Sequence, residues 1–308
     1  MQFRPAANAS CPLVLACDEA YAMPLATTLR SIAESNRAHW PLDVRVITDG
    51  MSEAARERVR CSLPDGAVQL DWIVVDLAMF RQFDVLGHVS RMTYARLLIP
   101  HLLDAGVSRV LYLDTDILVL GELAPLWQAD LAGAPVGAVA DFHVDADLKS
   151  PRPGQPKGVP RVQNYFNAGV LLLDLAECRR QRVPEQALDY LRANAGTPYS
   201  DQDALNVACD GRWTPLAPTW NFQNHHCTRI GRMPEARRPA IVHFITSSKP
   251  WKPSSTSVNA GLYDAFRSRT RFRRSAAQRI RAAFQTLAYR VQHRMTRINA
   301  RMKRLARS

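Results

Sequence analysis

Two aspartates separated by a single residue, Asp114 and Asp116, follow a run of mostly apolar side chains at positions 109–113. An apolar run without polar alternation is typical of a strand buried on both faces of a parallel sheet. Ionised carboxylates at the end of such a strand need compensation, and a divalent cation such as Mg²⁺ or Mn²⁺ suits oxygen ligands. Ligands of open α/β sheets gather beyond the carboxyl ends of the strands. We therefore predict that this pair holds a metal-bound anionic substrate such as a nucleoside diphosphate.

The same spacing also fits a purely structural role, in which the two aspartates cap a turn. Asp-x-Asp occurs twice more, at 145–147 and 201–203, so the spacing alone is a weak signal. The pair at 145–147 lies in loop-like sequence and fits a solvated surface. Only the apolar run in front of Asp114 sets that pair apart, and it supports a metal site and a capped turn about equally.

The elements that would position these carboxylates alternate between strand-like and helix-like segments. Strands are predicted near 12–18, 44–48 and 68–75, and helices over 25–35 and from Ser52 to about Cys61. Later segments predict a helix at 92–98 and strands at 135–140, 166–174 and 241–244. Short connections between such segments favour a doubly wound sheet that is mainly parallel.

Several polar residues lie at the ends of these segments, each with a structural alternative. Asp18 follows the first strand and could grip a nucleoside, although capping of the next helix is the favoured interpretation. Arg96 is either a partner for carboxylate or phosphate or a surface arginine. Asp201 begins a helix, where it could serve only as a cap. His243 on its own fits a core residue, but Lys249 nearby strengthens the case for a phosphate site.

Composition limits the classes of protein. The chain has 308 residues, 47% hydrophobic and 22% charged, which is ordinary for a folded α/β protein. The net charge of +12 belongs to residues 265–308, which hold fourteen Arg and Lys and no acidic residue. Six cysteines without C-x-x-C spacing predict reduced thiols in a cytoplasmic protein. We find no pattern of a signal peptide and no apolar run of membrane-spanning length.

The spaced motifs together resemble those of family 8 glycosyltransferases, in particular the bacterial lipopolysaccharide galactosyl- and glucosyltransferases. The resemblance runs from about Leu13 to Trp251. Each motif is weak, but their order along the chain is specific. They are Ala-Cys-Asp-Glu-Ala-Tyr at 16–21, Thr-Tyr-Ala-Arg-Leu at 93–97, Leu-Tyr-Leu-Asp-Thr-Asp at 111–116, Phe-Asn-Ala-Gly-Val-Leu-Leu at 166–172, Asp-Gln-Asp-Ala-Leu-Asn at 201–206, and His-Phe with Lys-Pro-Trp within 243–251.

This resemblance implies a GT-A fold and a role for each matching residue. Asp114, Asp116 and His243 would ligate Mn²⁺, with Mg²⁺ as the alternative, on the diphosphate of a UDP-sugar. The nucleoside would be surrounded by Ala16, Asp18, Tyr21, His88 and Val89. Contacts to the donor sugar or its phosphates would come from Arg96, Thr115 and Lys249. The sugar pocket would be lined by Asp141, Asn167, Asp201 and Gln202, with Gln202 nearest the reacting carbon.

The implied activity is transfer of galactose or glucose from the UDP-sugar to a glycan acceptor with retention of configuration. The acceptor would be a lipopolysaccharide or another lipid-linked oligosaccharide. Because an amide such as Gln202 is a poor nucleophile, we favour dissociative substitution on one face of the sugar, with Asp201 as the rival nucleophile. The alternatives are a UDP-sugar-binding protein without turnover and a metal-dependent nucleotidyltransferase.

The basic segment 265–308 is predicted to be separate from the catalytic domain, 1–264. Its apolar residues recur at three- and four-residue spacing among arginines, as in a basic amphipathic helix on an anionic membrane. They are Ile280, Phe284, Leu287, Val291, Met295, Ile298, Met302 and Leu305. A coiled-coil partner is the second interpretation and nucleic-acid binding the least favoured. The expected location is thus the cytoplasmic face of the inner membrane.

Overall fold

A computed structural model gives the structure of this protein. It describes residues 12–83, 90–144, 157–223, 228–245, 247–253, 255, 257–286 and 289. None of the helices within these ranges is both long enough and apolar enough to span a membrane. The four cysteines described, Cys17, Cys61, Cys178 and Cys209, are free thiols, as predicted.

Within the described ranges, seven strands form one sheet in the order β3-β2-β1-β4-β7-β6-β8, and a short pair, β5 and β9, forms a second. The strands are β1 Leu13–Ala16, β2 Leu42–Thr48, β3 Val68–Val74, β4 Arg109–Leu113, β5 Ile117–Val119, β6 Val136–Ala140, β7 Phe166–Asp174, β8 Trp213–Pro215 and β9 Ile241–His243. The predicted strands are all present, with ends that differ by at most two residues.

The sheet is mixed and mainly parallel. Strand β4 pairs in parallel with β1 but antiparallel with β7. Strand β4 therefore lies at the boundary between the parallel and the antiparallel part of the sheet. Because β7 runs in the opposite direction, its first residues lie beside the last residues of β4, and the carboxyl end of β6 reaches the same edge. This reversal brings the start of the motif at 166–172 next to the end of the motif at 111–116.

Helices cover the sheet on both faces. They are α1 Ala22–Ser35, α2 Glu53–Arg60, α3 Ala95–Leu102, α4 Ala124–Trp127, α5 Leu175–Arg180, α6 Val183–Ala193, α7 Asp201–Ala208 and α8 Ala260–Arg267. Short 3-10 helices lie at Glu19–Tyr21, Arg37–His39, Ala78–Phe80, Arg91–Tyr94, Pro218–Trp220, Ile230–Arg232 and Glu235–Arg237. The predicted Ser52 cap is confirmed, since its side chain accepts from the Ala55 N–H at 3.3 Å.

Two apolar cores hold the layers together, one on each face of the sheet. One packs α3, α5, α6 and α7 against Val110 and Tyr112 of β4. The other packs α1 and α2 against Leu111 and Leu113 of the same strand. Successive side chains of β4 thus enter opposite cores, which explains why residues 110–113 of this strand lack charged side chains. Burial on both faces fixes the position of the aspartates that follow it.

The first part of the basic C-terminal segment packs against this body. Arg58 of α2 donates to the Arg271 carbonyl at 3.1 Å, and Arg269 forms an ion pair with Glu34 of α1 at 2.8 Å. Residues 276–286 are helical, and Ile280 and Phe284 are 60% and 70% exposed. The predicted apolar positions from Leu287 onward lie outside the described residues.

Candidate active site

The structure brings together Asp114, Asp116 and His243. Asp114 follows β4 directly, Asp116 precedes β5, and the antiparallel pairing of β5 with β9 sets Ile117 opposite His243. The imidazole Nε2 lies 3.2 Å from Asp116 Oδ1 and 3.8 Å from Asp114 Oδ2. One ligand atom from each residue falls within 4.8 Å of the others. Residues more than 120 positions apart in the chain thus converge as predicted for a metal site.

One oxygen of each carboxylate accepts a hydrogen bond from a basic side chain, and the other oxygen faces the histidine. Arg96 Nη2 donates to Asp114 Oδ1 at 2.9 Å, and Lys249 Nζ donates to Asp116 Oδ2. Asp116 Oδ1 is buried and accepts no hydrogen bond of normal geometry from the residues that the structure describes. A buried carboxylate oxygen without a donor costs free energy. Two carboxylate oxygens and an imidazole nitrogen are ligands that fit Mn²⁺.

The electrostatics keep this site anionic. Burial would raise the pKa of Asp116, but the ammonium group of the adjacent Lys249 opposes that effect, and the pKa of Asp116 lies well below its usual range. Asp116 is therefore ionised at any pH at which the protein would work, as a metal ligand must be. The Arg96 and Lys249 side chains offset part of the negative charge of the two aspartates, which favours binding of an anionic ligand beside them.

A glycine makes the close approach possible. The carbonyl of Gly169 in β7 accepts a hydrogen bond from the Asp114 N–H at 2.8 Å. A Cβ at this position would lie 2.1 Å from His243 Cε1 and 2.8 Å from Asp114 Oδ2. Only glycine therefore fits here without displacement of the candidate ligands.

Arg96 is buried, with 7% of its surface exposed, so the alternative of a surface arginine is wrong. Its guanidinium contacts Asp114, the Ala168 carbonyl at 2.5 Å, and Asp201 Oδ2 at 3.0 Å. Asp201 also accepts from Thr93 Oγ1 at 2.6 Å. Burial raises the pKa of Asp201 to about 6, even though Arg96 opposes that shift. This arginine links the metal site to the helix α7.

Three of the four residues predicted to line a sugar pocket, all but Asp201, form one hydrogen-bonded group. Asn167 Nδ2 donates to Asp141 Oδ2 at 3.0 Å, and Gln202 Nε2 donates to the same oxygen at 3.2 Å. Gln202 Oε1 accepts from the Ala168 N–H at 3.0 Å. The β7 reversal produces this cluster, since it sets Asn167 next to the end of β6. Asn167 joins this group to Gly169, because its Oδ1 accepts from the Gly169 N–H at 3.1 Å.

The predicted nucleoside residues lie at the end of β1. Ala16 is its last residue, and Asp18 accepts from the Tyr21 N–H at 3.1 Å, which is the favoured capping role. Tyr21 packs edge-on against Trp251, and burial with the nearby Asp116 raises its pKa to about 12.

Thr115 is buried between the two aspartates, and its carbonyl accepts from Thr28 Oγ1 at 2.8 Å. His88 and Val89 were predicted to close on the nucleoside, but both lie outside the described residues.

The sequence interpretation missed several side chains that hold the site. Tyr112 Oη donates to Asp114 Oδ1 at 2.7 Å, and Tyr165 Oη accepts from Gln202 at 3.4 Å. Asn221 contacts the His243 ring at 2.9 Å. Thr93 and Tyr112 lie within the motifs at 93–97 and 111–116, so their place in the sequence could have identified them as site residues. Asn221 carried no such signal, since a single asparagine in an irregular segment has no spacing pattern.

Comparison with known proteins agrees with this geometry. The model of the family described as Glycosyl transferase family 8 matches residues 12–254. General stress protein A of Bacillus subtilis (strain 168) is 28% identical over 274 residues, which cover 84% of this chain and 94% of that protein. Lipopolysaccharide 1,2-glucosyltransferase of Escherichia coli (strain K12) is 26% identical over 250 residues, covering 76% and 70%.

The galactosyltransferase LgtC, solved with donor and acceptor sugar analogues, superposes with a TM-score of 0.70 at 28% identity. The match covers 84% of this chain and 96% of LgtC. This likeness, together with the mixed, mainly parallel sheet, confirms the predicted GT-A fold.

Proposed function

This chain belongs to glycosyl transferase family 8, and from that premise we propose that it transfers galactose or glucose from a UDP-sugar to a glycan acceptor with retention of configuration. That it is a glycosyltransferase follows from the family. One observation supports the finer proposal. Asp114, Asp116 and His243 converge, and the buried basic side chains of Arg96 and Lys249 lie beside them.

The donor diphosphate is proposed to bind where these charges meet. Asp114, Asp116 and His243 would hold Mn²⁺, which would supply Lewis-acid stabilisation of the departing UDP. Lys249 is 6% exposed and lies against Asp116, so it can meet phosphate as a point charge. Arg96 neutralises Asp114 and lowers the negative charge that the phosphates would otherwise meet. Tyr21, next to Trp251 and half-buried, is proposed to face the nucleoside.

The sugar is proposed to lie against Asp141, Asn167 and Gln202, which offer carboxylate and amide groups to its hydroxyls. In the proposed reaction the bond from the anomeric carbon to the UDP oxygen breaks first. The acceptor oxygen then bonds to that carbon on the same face, and its proton passes to the leaving phosphate oxygen. Both oxygens of Asp201 are held by Arg96 and Thr93, which does not favour Asp201 as a nucleophile. Trapping of a glycosyl-enzyme on Asp201 would overturn this mechanism.

The acceptor is proposed to be a lipid-linked glycan at the inner face of the cytoplasmic membrane. Fourteen basic and no acidic residues in 265–308 complement an anionic surface. The described part of this segment is consistent with such a role, since Ile280 and Phe284 lie one turn apart and are exposed. Membrane binding would place the site close to a growing glycan.

The test is release of UDP from a panel of UDP-sugars, in Mn²⁺ and in EDTA, with wild type and Asp116→Ala. The matched control is Asp71→Ala, an exposed aspartate on the edge strand β3. We expect metal-dependent release from one hexose donor, lost in Asp116→Ala and retained in the control.

Three outcomes would contradict the proposal. Release that persists in EDTA would remove the metal role. Binding of UDP without release, even with lipopolysaccharide acceptors present, would identify a binding protein. Formation of a nucleotide–sugar bond from a nucleoside triphosphate would identify a nucleotidyltransferase.

A further inference from the structure

The His243 ring contacts Asn221, which lies in the short segment 221–223. Residues 221–223 run alongside β9, where Phe222 N donates to the Ile241 carbonyl at 2.9 Å and His243 N donates to the Phe222 carbonyl at 3.0 Å. Phe222 forms a parallel bridge with Val242. This backbone pairing holds Asn221 against His243, with Asn221 Oδ1 2.9 Å from the imidazole Nδ1.

The direction of each hydrogen bond in this group can be assigned from groups whose polarity is unambiguous. The Gly169 backbone N–H can only donate, and it lies 3.1 Å from Asn167 Oδ1, which must therefore be the oxygen. Asn167 Nδ2 faces Asp141 Oδ2 at 3.0 Å, and that oxygen also accepts from the Gln202 amide. The contacts of Oδ1 and those of Nδ2 thus assign the same orientation to the Asn167 amide group.

Asn167 in turn orients Asn221. The Asn221 atom that lies 2.9 Å from Asn167 Oδ1 must be the donor Nδ2, so the Asn221 oxygen faces the histidine. An oxygen accepts, and the His243 Nδ1 must therefore carry the hydrogen. A neutral imidazole protonated on Nδ1 has its lone pair on Nε2. The Nε2 atom is the one that faces Asp114 and Asp116.

We propose that Asn221 is a positioning residue that holds His243 in the Nδ1–H tautomer, with Nε2 free to ligate the metal. The metal part of this statement rests on the proposed function, but the tautomer does not. Asn221, Asn167 and His243 are 2%, 6% and 4% exposed, so water cannot readily replace a lost partner. Without Asn221, Asp116 Oδ1 at 3.2 Å would favour the hydrogen on Nε2, where it blocks ligation.

This arrangement also connects the metal site to the sugar pocket. Asn167 lies between Asn221 and the group formed by Asp141 and Gln202. A change in the sugar pocket can therefore reach the histidine through two amide side chains. Partners of this kind commonly orient metal-binding histidines, and their removal lowers metal affinity by about 10- to 100-fold.

The first test reads the tautomer directly. Nitrogen NMR of the histidine-labelled, metal-free protein at alkaline pH, with the His243 signal assigned by His243→Gln, should show Nδ1 protonated and Nε2 unprotonated. Asn221→Leu keeps the number and branching of the side-chain heavy atoms but removes the acceptor, so Nε2–H should become the main form. Asn221→Asp keeps an acceptor beside Nδ1 and should preserve the wild-type tautomer. A wild-type ring protonated on Nε2, or an Asn221→Leu ring unchanged, overturns the proposal.

The second test measures affinity for Mn²⁺ alone by calorimetry. We expect Asn221→Leu to weaken binding by about 10- to 100-fold and Asn221→Asp to restore it to a large extent. Asn36→Leu is the matched control, because Asn36 is also 2% exposed and hydrogen-bonded but lies at the end of α1. It should lower Tm and leave tautomer and Mn²⁺ affinity unchanged. An equal loss of Mn²⁺ affinity in Asn36→Leu would reduce Asn221 to a general stability role and overturn the proposal.

The two tests separate this inference from the proposed function. If the tautomer shifts as stated but UDP is released from none of the sugars, the transferase proposal fails and the positioning role of Asn221 stands. If UDP release is confirmed and the tautomer does not shift, the positioning role fails alone.

Discussion

Replacement of Gly169 by alanine tests the close packing on which the candidate metal site depends. The new Cβ would lie 2.1 Å from His243 Cε1, whereas ordinary contacts begin at 3.4 Å. The imidazole must therefore retreat by roughly 1.3 Å, or β7 must move away from β4. Neither strand can move freely, because both lie in the interior of the sheet and proteins are close-packed.

The size of the effect follows from that displacement. Overpacking of a well-packed interior costs about 1–3 kcal/mol of unfolding free energy. A shift of about 1 Å in a ligand or catalytic group lowers rates by on the order of 100-fold. We therefore expect Gly169→Ala to fold, with a lower urea midpoint, and to lose most Mn²⁺ affinity and most UDP release.

Two other glycines serve as controls for Gly169→Ala. At Gly137 of β6 a Cβ would lie 2.5 Å from Leu131 Cδ2, the end of a flexible side chain, while nothing lies within 4 Å at Gly106. Gly137→Ala should lower stability without a specific loss of Mn²⁺ affinity, and Gly106→Ala should change neither. Wild-type Mn²⁺ affinity in Gly169→Ala, measured by calorimetry on folded protein, would refute the reasoning.

Two further predictions concern pH and the C-terminal segment. Because burial raises the pKa of Asp201 to about 6 from 3.8, the native state binds more protons than the unfolded state between these values. The contribution of this group to the free energy of unfolding thus falls as pH rises from about 4 to 6 and is constant above. Urea unfolding of wild type and Asp201→Asn should show that the unfolding free energy of wild type minus that of the variant declines over this window. An increase in that difference would contradict the prediction. A chain that ends at residue 275 loses nine basic residues. It should still release UDP from the UDP-sugar donor but should no longer sediment with phosphatidylserine vesicles. Undiminished sedimentation would exclude the membrane role.

The order of elements and the identity of most site residues could be predicted from sequence. Local spacing determines whether a segment is a strand or a helix, and the ends of strands identify which polar residues gather at one edge. Asp114 and Asp116 followed from the apolar run before them, and the Ser52 cap from its place before α2. The roles of Arg96 and His243 remained open at that level, because burial of a single side chain has no local signature.

Tertiary structure decided the arrangement that gives these residues their chemistry. The reversal of β7 brings Asn167 and Gly169 to Asp114, and the pairing of β5 with β9 brings His243 to Asp116. Asn221 acquires its role only because its segment runs beside β9. Such contacts join residues far apart in the chain and depend on strand direction and register. Local spacing therefore indicated the two aspartates as candidate ligands, whereas the direction of β7 and the pairing of β5 with β9 placed Gly169 and His243 beside them.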